Sequence, residues 1–358
     1  MKLLSTLILL FTISFVYSQD STISEKAHHV RNGFKNPYPG FEEKGISNLL
    51  KWVVWDRFIN DSRSTEADSV VFELAENDPD WLQQNKEEFS ITWVGHSSFL
   101  IQIEGLNILT DPVWSERVSP VSFVGPSRLV KPGLAFDSLP PIDIVIISHD
   151  HYDHLDEGTI EMIGDSALYI VPLGIGDFLD GLDISNYQEL DWWDEISFNG
   201  VRFICTPTQH FSGRTLFDRN KTLWSSWAIL GKSSRLYFAG DTGYFPGFKQ
   251  IGERYGPFDV AIVPIGAYKP QWFMSPVHVD PVQAVDVYLD VKAKYFVPMH
   301  WGTFQLSDEP ITDPPKVLMN EVELRGLDSN LFKVLKHGET IIVPVNNLVS
   351  EKPEIIIP

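Results

Sequence analysis

Cysteine is nearly absent from this sequence, since Cys205 is the only one among 358 residues. A single cysteine cannot form an intramolecular disulfide, so the fold must be stabilised by packing. Cys205 lies inside an apolar run, and we expect it to be a small buried residue rather than a ligand.

Basic residues are also scarce, with 28 Lys and Arg against 48 Asp and Glu and a net charge of -20. Nucleic-acid binding depends on basic side chains that neutralise phosphates, so the sequence predicts no nucleic-acid partner. The same charge disfavours broad electrostatic adhesion to anionic membranes.

Long apolar runs are missing beyond the amino terminus. There, one lysine precedes an apolar run from Leu3 to about Val16, which predicts a secretory signal peptide over residues 1–18. The run is short for a membrane span of about 20 residues, so an uncleaved anchor is the weaker alternative. We therefore expect an exported protein, in the periplasm or associated with the outer membrane of a bacterium.

The rest of the chain divides into an extension and a main domain. Residues 19–88 are polar and irregular apart from the aromatic stretch NLLKWVVWDRF, and we expect them to pack on the main domain as an amino-terminal extension. Residues 89–348 contain many short apolar runs bounded by Gly, Pro or Asp, which is typical of strands covered on both faces. This pattern predicts a single α/β domain with helices packed outside two sheets.

Local signals add detail to the main domain. The runs SITWVGHSSFLIQI and LNILTDP are predicted to pair as a hairpin with Gly105 at the turn. One helix is predicted from Asp280 to Leu289, where Asp280 caps the helix ahead of Pro281. Another is predicted from Pro315 to Leu324.

The stretch IISHDHYDHLD concentrates histidines and carboxylates directly behind an apolar run. Its HxHxDH pattern consists of His149, His151, Asp153 and His154, on a loop that leaves a predicted buried strand. Imidazole suits zinc, and a carboxylate adds a harder oxygen donor that can hold or bridge a second divalent ion. The pattern predicts a metal site, and a polar turn held by hydrogen bonds is the weaker interpretation.

Three other predicted strands each lead to one further donor. VRFICTPTQH ends in His210, RLYFAGD ends in Asp241 and KYFVPMH ends in His300. Taken alone, either histidine is compatible with a core position, and Asp241 with the cap of a turn. The repeated arrangement of strand and donor favours one shared site where the strand ends converge.

These motifs together resemble the metallo-β-lactamase fold, an αββα sandwich with its metals at one edge. Longer segments resemble the N-acylphosphatidylethanolamine-hydrolysing phospholipase D family, namely WVGHSS, ISHDHYDHLD, ELDWWD, TPTQHFSGRTLFDRN, LWSSW, YFAGDTGY, PIGAY, HVDP and HWGTF. The resemblance extends from about Asn36 to Pro315. The metal motif is shared across the superfamily, whereas TQHFSGRT, PIGAY and HWGTF are typical of a much narrower group of proteins within it.

The resemblance implies a ligand set with two Zn2+ ions per chain as cofactors. One ion is assigned to His149, His151 and His210, the other to Asp153, His154 and His300, and Asp241 is assigned to both as a bridge. The β-lactamases of this fold commonly place a cysteine among the ligands of the second metal. The aspartate therefore separates this chain from them.

The activity implied is that of a phosphodiesterase of phospholipase D type acting on N-acylphosphatidylethanolamine-like phospholipids. A hydroxide shared by the two ions would attack phosphorus, because metal binding lowers the pKa of water towards about 7. His278 matches a substrate-contacting histidine of the family, and Tyr152 is a further candidate donor. Packing is the alternative role for both. Val277 stands where animal members are expected to have a polar glutamine.

Other residues have less specific assignments. His96 in WVGHSS is expected to order the loop beneath the metals, with a hydrogen bond to a ligand as the alternative. Asp150 and Asp156 are expected either to orient ligand imidazoles or to face water. The apolar side chains best placed to meet a lipid chain are Trp272, Phe273 and Met274.

Other functions remain open at this point. The same metals could serve a lactonase or another envelope metallo-hydrolase, since related lactonases share the fold. A ribonuclease is disfavoured by the net charge, and a non-enzymatic zinc-binding protein by the completeness of the ligand set. The expected partner is a phospholipid or another phosphodiester, while a homodimer and peripheral contact with a membrane are left open.

Overall fold

The computed structural model describes residues 26–52, 64–121, 123–215 and 217–344. The signal peptide predicted at residues 1–18 lies outside these ranges, as does the end of the stretch NLLKWVVWDRF. Within them, none of the helices combines the length and the apolar character that a membrane span requires.

Two mixed sheets form the centre of the described part of the chain. Their strands and those of a small additional hairpin are β1 His29–Val30, β2 Gly33–Phe34, β3 Ser90–Gly95, β4 Ser98–Ile103, β5 Leu106–Thr110, β6 Ile144–Ile146, β7 Leu168–Pro172, β8 Tyr187–Leu190, β9 Glu195–Phe198, β10 Val201–Thr206, β11 Ser226–Leu230, β12 Arg235–Phe238, β13 Phe258–Pro264, β14 Ala293–Met299 and β15 Thr340–Ile342. One sheet has the order β15-β3-β4-β5-β6-β7-β8, and the other has the order β14-β13-β12-β11-β10-β9.

Helices pack around these sheets. Those of the described ranges are α1 Ile46–Leu50, α2 Pro79–Gln84, α3 Glu157–Ile163, α4 Gly176–Asp180, α5 Gly247–Arg254, α6 Gln271–Met274, α7 Pro281–Asp290 and α8 Asp313–Leu324. Helix α7 packs on β13 and β14 and also against α8.

The layering follows from the alternation of side chains along each strand. In β6, Ile144 and Ile146 belong to the core between the sheets, where Phe203 of β10 also lies. Val145 points the other way and packs in a second core, which includes Ile160 of α3. Strand β6 is thus apolar on both faces, and the two cores confirm the predicted αββα arrangement.

The predicted hairpin is confirmed at Gly105 and corrected upstream. Ile103 of β4 pairs with Leu106 of β5, and the two residues between them have positive φ, as a tight hairpin turn requires. The run SITWVGHSSFLIQI is not one strand, however. It folds back as β3 and β4 because the backbone turns at Gly95 and His96, whose φ angles are 141 and 54°.

Both predicted helices are present. Asp280 is the N-cap of α7, and its carboxylate accepts a hydrogen bond from the Gln283 N–H at 2.8 Å. The Gln283 side chain accepts from the Asp280 N–H in return, which completes a capping box. Helix α8 begins at Asp313, two residues earlier than predicted, because prolines are tolerated in a first turn that needs no N–H.

Parallel pairing of the strands brings their carboxyl ends together at the candidate site. Strands β5 to β8 run parallel to one another, and so do β12, β13 and β14. The carboxyl ends of each group therefore lie along one edge of their sheet, which is where open α/β sheets bind ligands.

Candidate metal centre

Four strand ends deliver the predicted donors to one place. The loop after β6 carries four of them, and β10, β12 and β14 are each followed by one more. The structure brings all of these together in overlapping groups of His149, His151, Asp153, His154, His210, Asp241 and His300.

The first group consists of three imidazoles. His151 Nδ1 lies 2.8 Å from His149 Nε2 and 3.3 Å from His210 Nε2, so the three nitrogens converge on one point. Burial lowers the pKa values of His149 and His210 well below their ordinary range, and it also lowers that of His151. These rings are neutral near pH 7 and have lone pairs for a metal ion.

The second group surrounds two carboxylates. Asp153 Oδ2 lies 3.4 Å from His300 Nε2 and 3.5 Å from His154 Nε2. Asp241 Oδ2 lies 3.1 Å from His300 Nε2, 3.3 Å from His154 Nε2 and 3.8 Å from His210 Nε2. The Asp241 carboxylate thus faces histidines of both groups, which is the position that a bridging ligand needs.

The electrostatics of this group favour added positive charge. Burial alone would raise the pKa of Asp241, but the neighbouring charges on His300 and His154 lower it well below its usual value. Burial would lower the pKa of His300, yet Asp241 and Asp153 outweigh it and raise the pKa to about 9. Two buried carboxylates thus draw protons onto the adjacent imidazoles, and divalent cations would satisfy the same demand.

Divalent metal ions fit the donor atoms present. Within the described part of the chain, His154 Nε2, His300 Nε2 and Asp241 Oδ1 are buried atoms without a hydrogen-bond partner. Burial of unpaired polar atoms is unfavourable, and these atoms belong to the residue types that coordinate zinc.

Asp111 supports the ligands and was not identified from the sequence. Its fully buried carboxylate accepts hydrogen bonds from His154 Nδ1 at 2.7 Å, from the Ser148 N–H at 2.7 Å and from Ser148 Oγ at 2.6 Å. Ser148 Oγ in turn lies 2.9 Å from His149 Nδ1. The carboxylate therefore fixes which nitrogen of His154 faces the other candidate donors. Asp111 directly follows β5, so the signal of a strand and a donor was present in LNILTDP.

His96 has the hydrogen-bonding role that the sequence left as the alternative. Its Nε2 lies 2.9 Å from Asp153 Oδ2, and its ring centroid lies 4.0 Å from that of His300. The His300 N–H also donates to the His96 carbonyl oxygen at 3.1 Å. His96 thus holds Asp153 and His300 in position.

The narrow motif PIGAY supports His300 from the other side. A Cβ at Gly266 would lie 1.9 Å from the His300 carbonyl oxygen, so this close approach requires glycine. The glycine of this motif thus lets the backbone of a candidate ligand, His300, pack closely against it.

Asp150 and Asp156 neither orient ligand imidazoles nor face water, which corrects both expectations. Asp150 Oδ1 accepts from the Gly213 N–H at 2.7 Å, and Oδ2 accepts from Thr222 Oγ1 at 2.8 Å. Asp156 accepts from Ser115 Oγ at 2.7 Å and from nearby backbone N–H groups. Both carboxylates are buried and hold neighbouring loops onto the metal-binding loop.

Tyr152 and Cys205 make contacts away from the donor cluster. The Tyr152 hydroxyl donates to the Arg214 carbonyl oxygen at 3.0 Å, and the Arg214 guanidinium lies 4.0 Å from the Tyr152 ring centroid. This geometry favours the packing role over the candidate catalytic role. Cys205 is completely buried in β10, and burial raises the pKa of its thiol well above the usual value.

His278 belongs to a further donor group, with His210 and Asp241. Its Nδ1 is 3.8 Å from Asp241 Oδ2, and its ring centroid is 5.5 Å from that of His300. Burial lowers the pKa of His278 to about 4, so the ring is neutral near pH 7 and has one N–H to donate.

Known sequences place this chain in a protein family. The family described as "Beta-lactamase superfamily domain" matches residues 106–301. This chain belongs to the beta-lactamase superfamily. Among its relatives, N-acyl-phosphatidylethanolamine-hydrolyzing phospholipase D 1 of Caenorhabditis elegans is 36% identical over 339 residues, which are 88% of this chain and 94% of that protein. An uncharacterized protein of Mycobacterium tuberculosis is 40% identical over 84% of this chain and 81% of its own length.

The fold is also similar to that of a solved hydrolase structure. Igni18, a metallo hydrolase from the archaeon Ignicoccus hospitalis, matches with a TM-score of 0.55 and 26% identity over 71% of this chain and 98% of that one. The predicted fold and the resemblance to the phospholipase D family are confirmed. This superfamily member is a metal-dependent hydrolase with a cluster of candidate ligands.

An apolar cavity of about 640 Å³ reaches the metal centre of this superfamily member. Asp153, Asp241, His278 and His300 line it, as do the apolar side chains of Phe211, Phe273, Met274, Val277 and Leu306. Its volume lies in the range of small-molecule sites. Of the segment 272–274 predicted to meet a lipid, Phe273 and Met274 line the cavity, whereas Trp272 lies outside the lining and contacts Phe273 edge to face.

The amino-terminal extension provides another wall of the cavity, which the sequence did not reveal. Its lining residues are Phe41, Glu43, Lys44, Gly45, Leu49 and Trp52. Arg219 also lines the cavity, and its Nε lies 2.9 Å from Glu43 Oε1. Both of these charged side chains are substantially exposed, so they mark the solvent end, while buried Asp241 and His300 mark the inner end.

Proposed function

We propose that this chain is a zinc-dependent phosphodiesterase of phospholipase D type that hydrolyses N-acylphosphatidylethanolamine-like phospholipids. The observation that carries the proposal is the meeting of seven candidate metal donors with an apolar cavity. A phospholipid needs both, because its phosphate carries charge and its acyl chains require apolar surface. The printed name of the Caenorhabditis elegans relative supports the same substrate class.

Two zinc ions are proposed as the cofactors. The donor set consists of imidazoles and carboxylates, the nitrogen and oxygen ligands that zinc commonly takes at hydrolytic sites. When bound, a pair of such ions supplies an activated water and neutralises charge on phosphate oxygens. The chain's own contribution is to hold these donors in a buried site, where Asp241 lies between both groups.

His278 is proposed to donate a hydrogen bond to the substrate phosphate. Its ring lines the cavity that the substrate would occupy, and its Nδ1 lies 3.8 Å from Asp241 Oδ2. Among the described residues, His278 Nδ1 is buried without a hydrogen-bond partner, so a ring nitrogen remains for the substrate. A neutral ring can donate its N–H to a phosphate oxygen without first gaining a proton.

The first prediction concerns products. Incubation of purified protein with a panel of phospholipids, N-acylated and not, is expected to give phosphatidic acid and N-acylethanolamine, identified by mass spectrometry. The N-acylated lipids should react faster. Ring opening of acyl lactones, without any phosphatidic acid, would instead identify the lactonase and contradict the proposal.

A second prediction separates His278 from Tyr152. His278→Ala should lower kcat on an N-acylated phospholipid about 100-fold, because one preorganised donor to the phosphate is lost. Tyr152→Phe should stay within about threefold of the unmodified protein, because its hydroxyl bonds the Arg214 carbonyl oxygen instead. Equal losses in the two variants would argue against a specific role for His278. Zinc content, measured by elemental analysis, should be unchanged in both.

A further inference from the structure

The amino-terminal extension is fixed at its start by one carboxylate. The Asp191 carboxylate is hydrogen-bonded to Lys26 Nζ, to His28 Nε2 at 2.7 Å and to His29 Nε2 at 2.8 Å. The buried His28 ring also stacks on Trp192 with centroids 4.1 Å apart. Lys26 and His29 contact the same Asp191 oxygen, and both histidines lie within hydrogen-bond distance of the carboxylate. This cluster therefore anchors the start of the extension to the main domain.

The extension then crosses the loop that carries His210. The Phe34 N–H donates to the Asn220 carbonyl oxygen at 2.8 Å, and Asn36 Nδ2 donates to the His210 carbonyl oxygen at 2.7 Å. At Gly33 a Cβ would lie 2.1 Å from the Asn220 oxygen, so the two backbones are in close contact. The extension is therefore held against both ends of residues 210–220.

Trp52 places a large rigid side chain in the cavity wall. Its Nε1 donates to Asp308 Oδ2 at 2.8 Å, and its ring stacks on Phe273 with centroids 5.1 Å apart. Only 7% of Trp52 is exposed, whereas Leu49, which also lines the cavity, is 42% exposed. Because both its edge and its face are held, Trp52 has little freedom to move away from a longer chain.

We propose that Trp52 is a specificity-determining residue that limits the length of the acyl chain that the cavity accepts. This inference rests on the proposed function only in requiring a substrate with an acyl chain, and it holds for a phospholipid or an acyl lactone. The wall that it forms is apolar, and the occupant is one acyl chain that runs from the metal centre past Trp52 and Phe273. Each methylene that a protein wall buries tightens binding about fourfold. A wall that cannot move ends this gain at one chain length, so the cavity selects among acyl chains by their length.

The test measures binding rather than hydrolysis. N-acylethanolamines of about 8 to about 20 carbons contain no phosphodiester, and their dissociation constants can be measured by calorimetry with the zinc-loaded protein. With the unmodified protein, affinity should rise with chain length and then stop rising. In Trp52→Ala this limit should move to longer chains, so that the ratio of the dissociation constants of the longest and shortest compounds falls at least about tenfold.

Two further variants keep the test decisive if Trp52→Ala does not fold. Trp52→Phe should shift the ratio in the same direction by about threefold, and Leu49→Trp, at an exposed lining position, should weaken binding of the longest compounds about tenfold. Trp114→Phe is the matched control, because it also loses one indole hydrogen bond, from Nε1 to the Leu134 carbonyl oxygen, at a position outside the cavity.

The outcomes separate this inference from the proposed function. An unchanged ratio in folded Trp52→Ala and Trp52→Phe would overturn the role of Trp52. The same would follow if Trp114→Phe shifted the ratio as much as Trp52→Phe. Absence of phosphatidic acid in the product assay, together with the expected shift in the ratio, would overturn the phosphodiesterase and leave Trp52 as the determinant of chain length.

Discussion

Asp241→Asn is expected to lower hydrolysis of an N-acylated phospholipid at least about 1,000-fold and to lower zinc content from about two ions per chain to about one. Asp241 is the residue whose carboxylate faces His154, His210 and His300 together. The amide has no negative charge to share between two cations, and its NH2 group would face the nitrogens of the neighbouring imidazoles.

The measurement combines turnover with elemental analysis of the purified variant. Asp137→Asn is the matched control, because Asp137 is an exposed aspartate outside the donor groups and should leave both quantities unchanged. Far-UV circular dichroism should match that of the unmodified chain. Full activity of Asp241→Asn, or about one zinc ion in the unmodified protein, would contradict a shared binuclear site.

The convergence of the seven candidate donors could be predicted from the sequence because their signals are local. Each follows a short apolar run, and such runs become buried strands whose ends meet at one edge of the sandwich. His300 directly follows β14, and Asp241 follows β12 after two residues. Burial of the strand and placement of the donor are therefore encoded in the same few residues.

The role of Asp111 depended on pairing that no local pattern specifies. Thr110 of β5 pairs with Ile146 of β6, and this register places Asp111, the residue after Thr110, beside Ser148, which lies two residues after Ile146. A shift of one residue would point the carboxylate to the other face of the sheet. The run LNILTD shows that a donor follows a strand, but it does not say which loop that donor will meet.

The cavity wall was unpredictable for a related reason. Trp52 and Asp308 are 256 positions apart, and their contact exists only after the extension has folded over the finished sandwich. The aromatic stretch NLLKWVVWDRF indicated burial against the main domain without indicating which surface it would cover. Tyr152 illustrates the same point on a small scale, because its place in the metal motif did not reveal that its hydroxyl bonds the Arg214 backbone.

Asp111→Ala tests whether the residues behind the ligands set metal affinity. The change leaves the His154 Nδ1–H and two donors of Ser148 buried without their acceptor. We expect the free energy of unfolding to fall by about 3–6 kcal/mol, because each unsatisfied buried donor costs about 1–3 kcal/mol. Zinc affinity, measured by chelator competition, should fall about 10–100-fold, as is typical when a partner that orients a ligand is removed.

Asp156→Ala distinguishes the two effects of that change. Asp156 is also buried and accepts several hydrogen bonds, but its donors come from Trp114, Ser115 and Thr159 rather than from a metal ligand. Its removal should therefore lower the free energy of unfolding by a similar amount, about 3–6 kcal/mol, with zinc affinity nearly unchanged. Equal losses of zinc affinity in the two variants would mean that general destabilisation, and not orientation of His154, controls metal binding. A loss of zinc affinity in Asp111→Ala but not in Asp156→Ala would show that Asp111, at the end of β5, orients His154 for metal binding.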